Sequence, residues 1–176
     1  FKLGLFENRK VDLTVIKDRI FTTEHQQVAL ETAQKGIVLL KNKGLLPLQK
    51  TNSRKRILVT GPNANNQTIL GDWHAPQPDE NVTTIFEGLK RVGDQNGYEV
   101  EFFDSGENIR KIKDTAIATA AKKAVNVDYA VVVVGDNAMR YRWKDKTSGE
   151  TMGRAALDLA GKQLDLVKAI KATGTP

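Results

Sequence analysis

The sequence predicts an α/β fold, a three-layer α/β/α sandwich around a mostly parallel sheet, and three observations carry that reading. Residues 55–60 (KRILVT) and 128–134 (DYAVVVV) are short, nearly continuous apolar runs, and 98–103 (YEVEFF) alternates. Strands that are apolar on both faces belong in a parallel sheet, because crossover helices bury it on both sides. Helical segments lie between the three runs, which gives the strand–helix alternation that such a sheet requires.

Taken in order, residues 1–21 mix Phe1, Leu3, Leu5 and Phe6 with Gly4 and then VDLTVIKDRIF, the pattern of an irregular connector. Thr22 or Thr23 is placed to cap a helix running through Glu24, Ala29, Leu30, Ala33 and Gln34, which Gly36 loosens. A short apolar run at 37–40 leads into KNKGLLPL, a loop pinned by Leu45, Leu46 and Leu48. After the strand at 55–60, GPNANNQ reads as a turn in which Asn63 can cap a short helix. An irregular stretch follows, with Trp73 and His74 between Gly71 and Pro76. A helix is expected at 84–92, a turn at 94–97, the alternating strand at 98–103 and a loop at 104–108. Residues 110–125 are alanine-rich and helical, with Ile112, Ala116, Ala120 and Ala124 along one stripe. The strand at 128–134 then runs into a long polar loop, and a helix resumes near Gly161. Gly174 and Pro176 close that helix as if a strand should follow, and residue 1 is Phe rather than Met. Both ends look cut, so the sandwich is expected to be incomplete at its carboxyl end.

The 176 residues suffice for one domain with a sizeable core, and 40% hydrophobic with 27% charged residues is an ordinary globular composition. The absence of cysteine excludes disulfides, thiolate metal sites and a cysteine nucleophile, while leaving the compartment open. Apolar runs fall far short of a membrane span, so no membrane partner is expected. The net charge of +6 is spread over Lys41, Lys43, Lys50, Arg54, Lys111, Lys122 and others on helix faces and in loops. That scatter describes a solvated surface, and no nucleic-acid partner is expected.

Chemistry is expected on the loop after the third strand, since ligands of open α/β sheets bind just outside the strands' carboxyl ends. Glu150 follows Gly149 there, and Arg154 stands close enough in sequence to orient a carboxylate by a charge-assisted hydrogen bond. A general acid needs a carboxyl that keeps its proton near neutral pH, which burial beneath a bound sugar would favour. Trp73, after the first strand, can stack on a sugar ring or cover the edge of a core. Only His25 and His74 are present, which makes a histidine metal site unexpected. Asp136 at a strand end can be a phosphoacceptor, a metal ligand or a turn cap. GPNANN resembles a nucleotide-binding turn but matches neither G-x-G-x-x-G nor G-x-x-x-x-G-K-[ST], and there is no G-x-S-x-G elbow. A non-catalytic module that binds a nucleotide or sugar phosphate through residues 61–66 is the alternative reading. A scaffold in which Glu150 is idle is a third.

Several stretches occur together in a fixed order. KLGLFEN and VD open the chain, and residues 24–48 (EHQQVALETAQKGIVLLKNKGLLPL) follow, anchored at His25, Ala29, Ala33, Leu39, Leu40, Lys41, Asn42, Leu46, Pro47 and Leu48. GPNA at 61–64, GDW at 71–73, VVVVGD at 131–136 and SGETMGRAALDLAGKQ at 148–163 come next. Collinear over nearly the whole chain, they resemble family 3 glycoside hydrolases, the β-glucosidases and β-xylosidases. The resemblance implies that residues 1–21 are the end of a barrel domain and its linker, and that 22–176 are an incomplete sandwich domain. It implies a retaining reaction on a β-linked oligosaccharide or glycoside, without cofactor or metal. The nucleophile would be an Asp of the missing barrel domain, and the acid/base would be Glu150, followed by Arg154, residues 157–159 and Gln163 in the family's pattern. Trp73 and Trp143, the latter in the insert RYRWKDKT, would line the aglycone side with Arg154 nearby. Asp136 stands where the family usually has Glu, and Ala160 where it usually has Pro. A periplasmic or secreted location is what the resemblance favours, and this piece alone is expected to be inactive.

Overall fold

The computed structural model describes residues 2, 4–7, 10, 12–139 and 142–176. Phe1, Leu3, Asn8, Arg9, Val11, Arg140 and Tyr141, which fall in the connector and at the head of the RYRWKDKT stretch, lie outside the described residues. The chain forms two compact units, Phe1–Leu46 and Pro47–Pro176.

In the first unit, Asp12 accepts a hydrogen bond from the Thr14 amide at 2.9 Å and starts a single 3₁₀ turn, Leu13–Val15, that passes into helix α1, Ile16–Arg19. Helix α2, Thr23–Gly36, takes Thr22 as its N-cap, with the hydroxyl accepting the His25 amide at 3.3 Å. That satisfies one of the four amides a helix start leaves without a partner. Asn42 folds the following loop by accepting the Leu45 and Leu46 amides and donating to the Leu46 carbonyl.

The second unit is built on three parallel strands, β1 (Lys55–Thr60), β2 (Tyr98–Phe103) and β3 (Tyr129–Val132), in the order β2-β1-β3. Ile57 lies opposite Val100 on one side and Tyr129 on the other. Alternation along the central strand divides the core. Ile57 and Val59 pack with Tyr98 and Val100 under Phe86 and Leu89 of helix α3, Ile85–Gln95. Leu58 points the other way, against Ile117, Ala120 and Ala124 of α4 (Asp114–Ala124) and Leu166 and Ile170 of α5 (Gln163–Lys171). One helix therefore covers one face of the sheet and two cover the other, the three layers that the apolar strands predict.

The boundaries differ from expectation where side chains outcompete periodicity. Thr84 and Glu87 form a reciprocal capping box that fixes the start of α3, and the helix runs past residue 92 to Gln95, leaving the turn at 96–97. Helix α4 begins at Asp114 instead of residue 110, although Ile112 is buried ahead of it. Asn66, not Asn63, caps the short 3₁₀ turn Gln67–Leu70. Asn63 is used elsewhere, accepting from the Asn137 side-chain amide at 2.9 Å.

Candidate active site

The strand order places a topological switch between β1 and β3. The chain leaves β1 towards α3 on one face and leaves β3 towards α5 on the other, so the two loops part at the carboxyl ends of neighbouring strands. This is where open α/β sheets bind ligands. Gly61 lets the first loop leave closely, since a Cβ at its φ of +109° would sit 2.2 Å from the Val133 carbonyl oxygen.

The β3 loop is closed at its base. Asn137 and Thr147 exchange backbone and hydroxyl hydrogen bonds, with the Thr147 amide donating to the Asn137 carbonyl at 3.0 Å and the Asn137 amide to the Thr147 hydroxyl at 3.1 Å. Arg142 donates to Glu107 at 2.6 Å and Lys111 to Asp145 at 3.2 Å, tying the loop to the segment before α4. The Asn108 and Lys111 side chains together hold the Asp145 carboxyl below its usual range.

Asp72 is the hub, and sequence reasoning missed it. Its carboxylate lies 2.9 Å from the ammonium of Lys146, whose side chain is entirely buried, and it accepts the Glu150 backbone amide at 2.7 Å. The Trp143 ring lies over the same ammonium, 4.5 Å from its centroid. Gly149 rests on the Asp72 side chain so closely that a Cβ would meet the carboxylate at 2.5 Å. Glu150 is thus fixed by its backbone while its side chain is exposed. It stands between two residues of positive φ, Gly149 at +93° and Thr151 at +65°. A β-branched residue in the left-handed region is strained, and such strain concentrates at functional loops.

Of the residues singled out in the sequence, Glu150, Trp143 and Trp73 gather around Asp72, Trp73 as its exposed neighbour in the chain. Arg154 is directed elsewhere. Its guanidinium donates to the Asp136 carboxylate and the Asp158 carbonyl, so the partner expected to be Glu150 is Asp136. Arg154 and Asp136 line an open cavity of about 270 Å³ beside the loop, together with Thr147, Ser148, Gly149 and Leu157. The turn at 61–66 is bonded within itself and to neighbouring segments. Asn66 donates to the Pro62 carbonyl and accepts the Thr68 amide, and the Ala64 amide reaches Gly61. Those groups are committed to the turn. Among the described residues, no group of three or more His, Asp or Glu could hold a metal ion. The sequence signal for Asp72 was its place in the GDW motif, and Lys146 had none beyond nearness to Trp143.

Fold and site together define an α/β sandwich that presents a carboxylate on a clamped loop at a sheet switch point. Residues 37–176 match the model of the glycosyl hydrolase family 3 C-terminal domain, and the chain belongs to that family. A β-xylosidase of Formosa agariphila is 35% identical over 100% of this chain and 24% of its own length. The periplasmic β-glucosidase of Salmonella typhimurium is 30% identical over 86% of this chain and 21% of its own length. Among solved structures, the β-glucosidase from Listeria innocua in complex with glucose aligns with a TM-score of 0.77 at 28% identity, over 99% of this chain and 22% of that one. The chain spans about a quarter or less of the length of the relatives it matches.

Proposed function

We propose that this chain supplies the acid/base loop of a retaining β-glycosidase acting on β-glucosides or β-xylosides, with Glu150 as the proton donor and acceptor. Retaining enzymes set two carboxyl groups about 5–5.5 Å apart across the scissile bond. In this reading Glu150 is one, and the other comes from a barrel domain that residues 1–21 link to the sandwich. The barrel carboxylate attacks the anomeric carbon as Glu150 protonates the departing glycosidic oxygen. A glycosyl ester forms and the aglycone leaves as an alcohol. Glu150, now a carboxylate, takes a proton from water as that water attacks the anomeric carbon and displaces the barrel carboxylate, and both carboxyl groups return to their starting states. Trp73 and Trp143, exposed beside the loop, offer ring faces to the aglycone, and Arg154 lines the adjoining cavity.

The observation that carries this reading is a glutamate whose backbone is hydrogen-bonded in place while its carboxylate stays open to a substrate. The test is Glu150→Ala in the full-length enzyme, assayed on aryl β-glucosides and β-xylosides of graded leaving-group ability. Loss of general acid catalysis is expected to slow poor leaving groups by roughly 10²–10⁴-fold. Azide is expected to restore turnover and give the β-glycosyl azide. Rates unchanged on poor leaving groups would overturn the assignment.

A further inference from the structure

We propose that Asp72 and Lys146 are positioning residues for the acid/base, an inference that rests on Glu150 filling that role. Among the described residues, the carboxylate of Asp72 meets the second loop at three places. It faces the Lys146 ammonium at 2.9 Å, accepts the Glu150 amide at 2.7 Å, and lies where a side chain on Gly149 would have to be. Asp72 belongs to the loop after β1 and Glu150 to the loop after β3, so the contact joins two segments 78 residues apart in sequence. The lysine side chain is fully buried and that of Asp72 is 9% exposed. A buried ion pair of this kind is often no more stabilising than an apolar pair of the same size. An apolar pair would fill the space, but only a side chain with an acceptor oxygen at position 72 can also take the Glu150 amide. Lys146 then fixes where that oxygen sits, and the Trp143 ring lies over the ammonium. The clamp holds the backbone and leaves the reacting side chain outside it, which is what a group that must both give and receive a proton requires.

The test uses kcat/KM of the full-length enzyme on a dinitrophenyl β-glycoside, whose leaving group departs without a proton, and on a methyl β-glycoside, whose leaving group needs one. Single substitutions would strand a buried charge, so the variants are double. Asp72→Ala with Lys146→Met removes the acceptor. Asp72→Asn with Lys146→Met removes both charges and keeps a carbonyl for the Glu150 amide. A misplacement of about 1 Å costs on the order of 10²-fold, so the alanine pair is expected to lose at least tenfold more on the methyl than on the dinitrophenyl substrate. The asparagine pair is expected to recover most of that difference. Should the alanine pair not fold, Asp72→Leu with Lys146→Met refills the space without an acceptor and carries the same comparison. Equal losses on the two substrates, or none, would overturn the positioning role. Glu150→Gln is measured alongside. If it shows no dependence on the leaving group, the acid/base assignment fails and the positioning role falls with it.

Discussion

Gly149 is the residue on which the loop's path turns. Its φ is +93°, and a Cβ there would stand 2.5 Å from Oδ2 and 2.6 Å from Cγ of Asp72. Alanine in such a conformation costs more than the roughly 0.4–1 kcal/mol that the same change yields at a compatible site, and with opposite sign. Gly149→Ala is therefore expected to destabilise the chain by more than about 1 kcal/mol in denaturant unfolding. Gly153→Ala is the control, since its φ is not positive and nothing lies within 4 Å of its Cβ position. A surface change of that kind is expected to stay within about 0.5 kcal/mol. Equal effects at the two positions would show that the Asp72 contact does not constrain the loop. The motif draws attention to Glu150, with Gly149 before it and Arg154 after it, and its acid/base role is the proposal made above. Asp72 and Lys146 were not legible in this way. They pair across 74 residues, and lysine is almost never fully buried, so nothing local in the sequence marks either as interior.

At the scale of elements, the strands carry the fold. Leu58 is fully buried in the centre of β1 and packs against α4 and α5 together. Leu58→Ala removes side-chain volume that neither helix can refill alone, and is expected to cost about 2–5 kcal/mol. Chemical denaturation should show a lower midpoint with an unchanged slope, and a loss under about 1 kcal/mol would mean the helices close over the gap. The strands were legible because burial on both faces leaves a continuous apolar run. Helix ends were less so, because polar partners decide them. Helix α5, expected near Gly161, starts at Gln163, whose side chain is buried, accepting the Gly135 amide at 2.9 Å and donating to the Ala160 carbonyl at 3.0 Å. That glutamine joins the helix start to the loop just after β3, a long-range contact that periodicity does not encode. Arg154 teaches the same point. Its nearness to Glu150 in sequence suggested a pair, yet Asp136, 18 residues away, takes the guanidinium.

At the scale of the molecule, the question is whether this chain can act alone. The proposed retaining reaction needs a second carboxylate free to attack the anomeric carbon. Among the described residues, two of the carboxylates beside the Glu150 loop are held by cations. Asp72 holds Lys146 and the Glu150 amide, and Asp136 holds Arg154. A carboxylate bound to a buried ammonium is a poor nucleophile, since attack would strip that ammonium of its counter-charge. The purified 176-residue chain is thus expected to fold, by circular dichroism and a cooperative melt, yet to release no aryl alcohol from aryl β-glucosides or β-xylosides above the uncatalysed rate. Glu150→Gln in the same chain is expected to change nothing, because half a catalytic pair has no covalent step to assist. Sugar release by the purified chain that disappears in Glu150→Gln would place a nucleophile within these residues, and Asp136→Asn would be the next substitution to make. Silence of the isolated chain, with activity in the full-length enzyme that depends on Glu150, would assign the second carboxylate to the rest of the polypeptide.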